Sequence, residues 1–198
     1  MCRLYGVKRK LLLITAFLPL IFASCGGGTT DPTIDPTPGA SYNQQQTERL
    51  YGSWKFTYTL DTTYTDGYRL GTLNASTSTP GDYFLSGTND VGGPVVAGYD
   101  STYKTFSLYD PGSTYDQFYI FDFNGQNMVS GCYYLIELST NRMTDCFAMN
   151  GVRSSLSTAS VAARSPSDLQ QKRLRASALS SNNGPAYRAY LRLKTERR

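Results

Sequence analysis

Few side chains in this sequence are suited to chemistry. The chain has no histidine, which removes Ser-His-Asp and Cys-His nucleophilic pairs and histidine-ligated zinc. Paired carboxylates remain as a general acid and base. The best placed are Asp122 and Asp145, both inside predicted strands. Each is expected to face solvent or cap a turn, so no catalytic residue is assigned. "DFNGQN", from Asp122 to Asn127, begins like a calcium loop but lacks the later bidentate Glu. "GTNDVGG", from Gly87 to Gly93, is glycine-rich but follows no strand-to-helix switch, so a phosphate loop is not supported. The sequence thus predicts no metal, no cofactor and no enzyme.

Cysteine chemistry is more informative. The four cysteines are Cys2, Cys25, Cys132 and Cys146. Arg3, Lys8, Arg9 and Lys10 precede an apolar stretch from Leu11 to Phe22. That stretch is about a dozen residues, short of the ~20 a membrane span needs. A basic head, a short apolar core and small residues describe a secretory signal peptide over 1–24. The small residues end in "FASC", Phe22 to Cys25, which resembles the lipobox of bacterial lipoproteins, with Phe22 where Leu is usual. The resemblance implies cleavage before Cys25, a diacylglyceryl thioether on Cys25 and acylation of the new N-terminus, with palmitate among the acyl groups. Two or more acyl chains anchor stably where one binds only marginally. Gly26 follows the cysteine where an Asp would signal inner-membrane retention, which points to the outer membrane. Cys132 and Cys146 then remain as an even pair in a compartment where disulfides persist. They flank "CYYLIELSTNRMTDC". A turn centred near Ser139 brings them face to face, and one centred on Asn141-Arg142 staggers them. A disulfide and two small buried thiols both stay open.

The elements that hold these residues follow from composition and pattern. Sixteen tyrosines and abundant Thr, Ser and Gly suit pleated sheet and turns. Residues 25–47 are rich in Gly, Thr, Pro and Gln and read as a flexible, lipid-bearing tether. Residues 48–153 read as eight short strands separated by turns such as Asp110-Pro111-Gly112 and Asn124-Gly125. The predicted fold is all-β: a small antiparallel eight-stranded up-and-down barrel, which leaves no unpaired edge. About 105 residues suffice for one such core. One strand phase offers Phe56, Tyr58, Tyr68, Leu70, Phe106, Leu108, Phe118, Ile120, Tyr134 and Ile136 as the barrel interior. Apolar walls with a few hydroxyls suit a small hydrophobic ligand, and a barrel of this size either holds one or fills itself.

Gly52-Ser53-Trp54, at the head of the first strand, resembles the Gly-x-Trp signature of the calycins, the group of lipocalins, fatty-acid-binding proteins and avidins. The resemblance implies that a basic residue of the last strand packs across the tryptophan and closes one barrel end. Arg153 stands where that residue is expected, so Trp54 and Arg153 are assigned a structural role. The strands are shorter than in most lipocalins, and "STYDQFYIF", Ser113 to Phe121, only approximates a second lipocalin motif.

The net charge of +4 conceals an acidic middle and a basic tail over 154–198. The tail reads as largely disordered or weakly helical. Ser165-Pro166-Ser167-Asp168 resembles a helix start, and "AYRAYLRLK" fits a helix or a strand equally. The expected function is a non-enzymatic lipoprotein of the bacterial envelope, periplasm-facing and tied to the outer membrane by Cys25, with a small hydrophobic ligand inside the barrel. The alternative is a filled barrel that meets envelope partners or an anionic surface through its exterior and tail. Nucleic acid is not an expected partner.

Overall fold

A computed structural model describes residues 37–59, 61–154, 179–180 and 184–197. The signal segment, Cys25 and the helix start expected at Ser165 lie outside the described residues. Strict alternation in "GSWKFTY" buries Trp54, Phe56 and Tyr58 on one face of strand β1 (Gly52–Tyr58) and turns Lys55 to solvent. Six more strands follow, each antiparallel to the one before. They are β2 (Asp61–Ala75), β3 (Tyr83–Asn89), β4 (Pro94–Asp100), β5 (Thr105–Asp110), β6 (Tyr115–Phe123) and β7 (Met128–Glu137). Strand β9 (Phe147–Arg153) pairs with β7 on one side and β1 on the other, closing an eight-stranded up-and-down barrel. The far half of β7 leaves the barrel to pair with β8 (Arg142–Thr144), which in turn pairs with β10 (Leu179–Ser180). The connection after β6 spans four residues, with only Gly125 at positive φ, rather than the two-residue turn expected of Asn124-Gly125.

Two helices pack on this barrel. Helix α1 (Tyr42–Glu48) starts at Ser41, whose hydroxyl accepts from Gln44 N. All of it but Glu48 falls inside the stretch expected to be tether. Its last turn is held to the barrel by Thr47, which donates to the Tyr83 carbonyl and accepts from Tyr99 N, each at 3.2 Å. Helix α2 (Pro185–Glu196) covers the outside of the sheet, so these residues of the expected tail are a built part of the fold. Gly184 and Pro185 supply its start. Its apolar face, Ala189, Tyr190 and Leu193, is thin but fully used.

The barrel therefore has two apolar layers. The interior holds Trp54, Phe56, Tyr68, Leu70, Leu85, Phe106, Leu108, Tyr119, Phe121, Tyr133 and Leu135, among others. The exterior layer, under α2, holds Phe84, Val96, Tyr109, Phe118, Ile136 and Met143, with Ile120 and Tyr134 packed against it. This corrects four of the expected interior residues: Phe118, Ile120, Tyr134 and Ile136 face outward. Strand β6, "YDQFYIFDF", is apolar in both phases because both its faces are covered, so alternation carried no information about which face was inner.

Candidate functional site

The two ends of the interior differ in chemistry. At the end where β1 begins, Trp54 and Arg153 are direct partners across the β1–β9 ladder. The Arg153 guanidinium carbon lies 4.6 Å from the centre of the indole, within cation–π range. Its donors reach the Tyr51 carbonyl, the Arg49 carbonyl at 2.7 Å and Asn127 Oδ1 at 2.9 Å. Trp54 Nε1 donates to the Leu50 carbonyl at 2.8 Å. Gly52 explains the glycine of the motif: its φ is +105°, and a Cβ there would stand 3.2 Å from the Arg153 guanidinium. Arg49 adds a second cation 3.9 Å from the centre of the Phe123 ring. This end is a plug.

Between the ends the interior is filled with rings. Phe56 lies 5.3 Å from Tyr68, 5.2 Å from Tyr119 and 5.6 Å from Phe121, centroid to centroid. Tyr133 lies 5.0 Å from both Tyr58 and Tyr119. These are contact distances for aromatic pairs. Gly151 is needed for the fit, because a Cβ there would come within 2.5 Å of the Phe56 ring and 2.6 Å of Val129. Leu70, Phe106 and Leu108 complete the apolar wall, each essentially buried.

Toward the end where β1 finishes, the interior becomes polar. Tyr58, Tyr68, Tyr119 and Tyr133 converge with Asp66, Asp110, Asn89 and Gln117. The Tyr119 hydroxyl is the hub. It lies 2.7 Å from the Tyr68 hydroxyl and 2.9 Å from that of Tyr58, and reaches Asp66 Oδ2 and Gln117 Oε1, each at 3.1 Å. Tyr58 also donates to Asp66, and Tyr133 donates to Gln117 at 3.2 Å. Asp110 accepts from Tyr68 at 3.2 Å and from Asn89 Nδ2 at 3.0 Å. Burial, with the Asp66 carboxylate nearby, pushes the Asp110 carboxyl up to about 7. Burial and then Asp66 likewise raise the phenols of Tyr58, Tyr68 and Tyr119 well above their ordinary range. They are hydrogen-bonding groups and not bases.

Only Tyr58 and Tyr68 of this cluster are among the residues expected from sequence. A signal for the rest is present. Asp66 shares the phase of Tyr68 and Leu70, and Asp110 shares that of Phe106 and Leu108. In β2 and β5 that shared phase is the inner one, so both carboxylates are inside.

A second polar set fixes α2 to the outer face. Asp116 is buried and accepts from Tyr109 at 3.0 Å, Tyr190 at 2.7 Å and Lys194 at 2.9 Å. Arg192 pairs with Asp82 and, at 2.8 Å, with Asp100. Glu196 accepts from the hydroxyls of Ser76 and Ser78 and from the amides of Thr77 and Ser78. Burial alone would raise the Glu196 carboxyl, but these donors outweigh it and hold it at about 2. Arg192 and Lys194, read from sequence as cations of a free tail, are thus turned inward.

Asp122 and Asp145, the pair weighed for catalysis, are both exposed, the first on the outer face of β6 and the second between β8 and β9. Cys132 and Cys146 are bridged, with Cα atoms 5.1 Å apart. Cys132 pairs with Ala148, so Cys146, two residues earlier in chain, lies diagonally across on the same face. Among the described residues no group of three His, Cys, Asp or Glu is placed to hold a metal. No known family's sequence model matches the chain, and no curated protein matches it.

Proposed function

We propose that this chain is a non-enzymatic envelope lipoprotein, anchored in the outer membrane through Cys25, whose calycin-like barrel is solid and works through its exterior. The packed interior carries this reading. A barrel filled by Phe56, Tyr68, Tyr119, Phe121 and Tyr133 at contact distance has its own side chains where a ligand would sit. The Gly52-x-Trp54 turn with Arg153 stacked on it supports the calycin likeness. The anchor rests on the signal segment over 1–24 and the "FASC" that ends at Cys25. Asp122 and Asp145, the pair weighed for catalysis, are both exposed.

The test is to express the full chain in a bacterium, extract it from membranes in mild detergent and weigh it by native mass spectrometry. The reading expects a diacylglyceryl adduct that Cys25→Ala abolishes, with release of the protein from the membrane fraction, and no small molecule retained by the folded domain. A stoichiometric apolar molecule carried by the domain would restore the ligand-carrier reading. A Cys25→Ala protein that still sediments with membranes would remove the anchor.

A further inference from the structure

We propose that the polar end of the barrel interior is a proton-operated latch, closed when a proton sits on Asp110 and loosened when that proton leaves to solvent. The proposal begins with a contrast among buried carboxylates. Asp116 has a lysine and two phenols, and Asp82 and Asp100 share an arginine. Asp110 is only 4% exposed, and its oxygens receive two neutral donors, Asn89 and the distant Tyr68 hydroxyl. An ionised carboxylate has about four acceptor sites to satisfy, and burying it without a cation is costly.

The geometry supplies the remedy. Four oxygens stand in series: Asp110 Oδ2, Tyr68, Tyr119 and Asp66 Oδ2, separated by 3.2, 2.7 and 3.1 Å. Three contacts need three protons, and the two phenols carry one each. A proton on Asp110 supplies the third. Asp110 then donates to Tyr68, Tyr68 to Tyr119, and Tyr119 to Asp66, which holds the charge and also receives Tyr58. Without that proton one contact in the series loses its hydrogen, and two carboxylates face each other through buried phenols.

Acting directly on Asp110 are Asp66 and Tyr68 on β2, Asn89 with Asp90 just beyond β3, and Gln117, its ladder partner on β6; Tyr119 on β6, Tyr58 on β1 and Tyr133 on β7 follow through hydrogen bonds to Tyr68, Asp66 and Gln117. The charged ones among them are the carboxylates Asp66 and Asp90, and both act against ionisation of Asp110. The folded protein therefore binds this proton more tightly than the unfolded chain, whose aspartates titrate near 3.8. Stability from this group is complete below that value and falls as pH rises toward about 7. The chain has no histidine, the side chain whose ordinary titration falls between pH 5 and 8.

The experiment is thermal unfolding of the full chain at pH 5 and pH 8, for wild type, Asp110→Asn and the exposed control Asp122→Asn. Wild type and Asp122→Asn are expected to melt about 5–10 °C lower at pH 8, and Asp110→Asn to lose most of that difference. Equal melting temperatures of wild type at both pH values, or an unchanged fall in Asp110→Asn, would overturn the latch. Carbon-13 titration of the Asp110 carboxyl in wild type stands independent of how the variant folds. A midpoint near neutrality supports the latch, and one below pH 5 refutes it.

Discussion

Removing the Tyr190 ring should destabilise the whole barrel, although it lies 37 residues beyond the last barrel strand in sequence. The ring is fully buried between α2 and the sheet, 5.7 Å from Tyr109 and 5.8 Å from Phe118. Its hydroxyl donates to Asp116 at 2.7 Å. Truncating a buried aromatic to alanine costs about 3–5 kcal/mol. Deleting the hydroxyl alone, in Tyr190→Phe, removes its bond to Asp116 and the one it accepts from Lys194 and should cost about 1.5 kcal/mol, the low end for bonds to charged groups, because Asp116 keeps Tyr109 and Lys194. Domains of this kind have only about 5–15 kcal/mol in total, so Tyr190→Ala leaves a marginal protein. Urea unfolding followed by Trp54 emission is the assay, since Trp54 sits inside the barrel and reports only cooperative loss of the fold. A midpoint unchanged within about 0.5 kcal/mol would show that α2 is a peripheral attachment.

Arg153→Ala should cost about 2–3 kcal/mol, from one cation–π contact and two stranded carbonyls, and shift Trp54 emission to the red; Arg153→Lys should recover only part, because an ammonium cannot make the same fork of bonds. Gly151→Val should misfold or lose at least about 3 kcal/mol by overpacking against Phe56 and Val129, read by circular dichroism and melting. Reducing the Cys132–Cys146 bridge, which closes a loop of 14 residues, should lower stability by about 3 kcal/mol without unfolding the barrel, checked by urea titration with and without a reductant.

The parts legible in the sequence were those where one face of a strand is wet. In β1 the polar phase of Ser53, Lys55 and Thr57 marked Trp54, Phe56 and Tyr58 as inner, and the hundred-residue spacing to Arg153 matched a barrel that closes first strand on last. The strand count and antiparallel order followed from turn residues. Strands β4 to β6 were different. Their outer faces are covered by α2, so Val96, Tyr109 and Phe118 look like core in either phase. Helix α2 itself has too small an apolar face to stand out in sequence. It depends on carboxylates of the barrel that have no sequence neighbour in common with it. The tyrosine–carboxylate cluster was hidden for another reason: Asp66 and Asp110 read as two more members of an acidic middle until their strand phase is compared with their neighbours.

The central claim is that the interior is occupied by its own side chains. Titrating the protein with long-chain fatty acids and a hydrophobic dye, while recording Trp54 emission and dye emission, tests it most directly. A solid barrel predicts no saturable change in either signal. A saturable one-to-one response, with dye displaced by a fatty acid and weakened by a bulkier residue at Gly151, would contradict it.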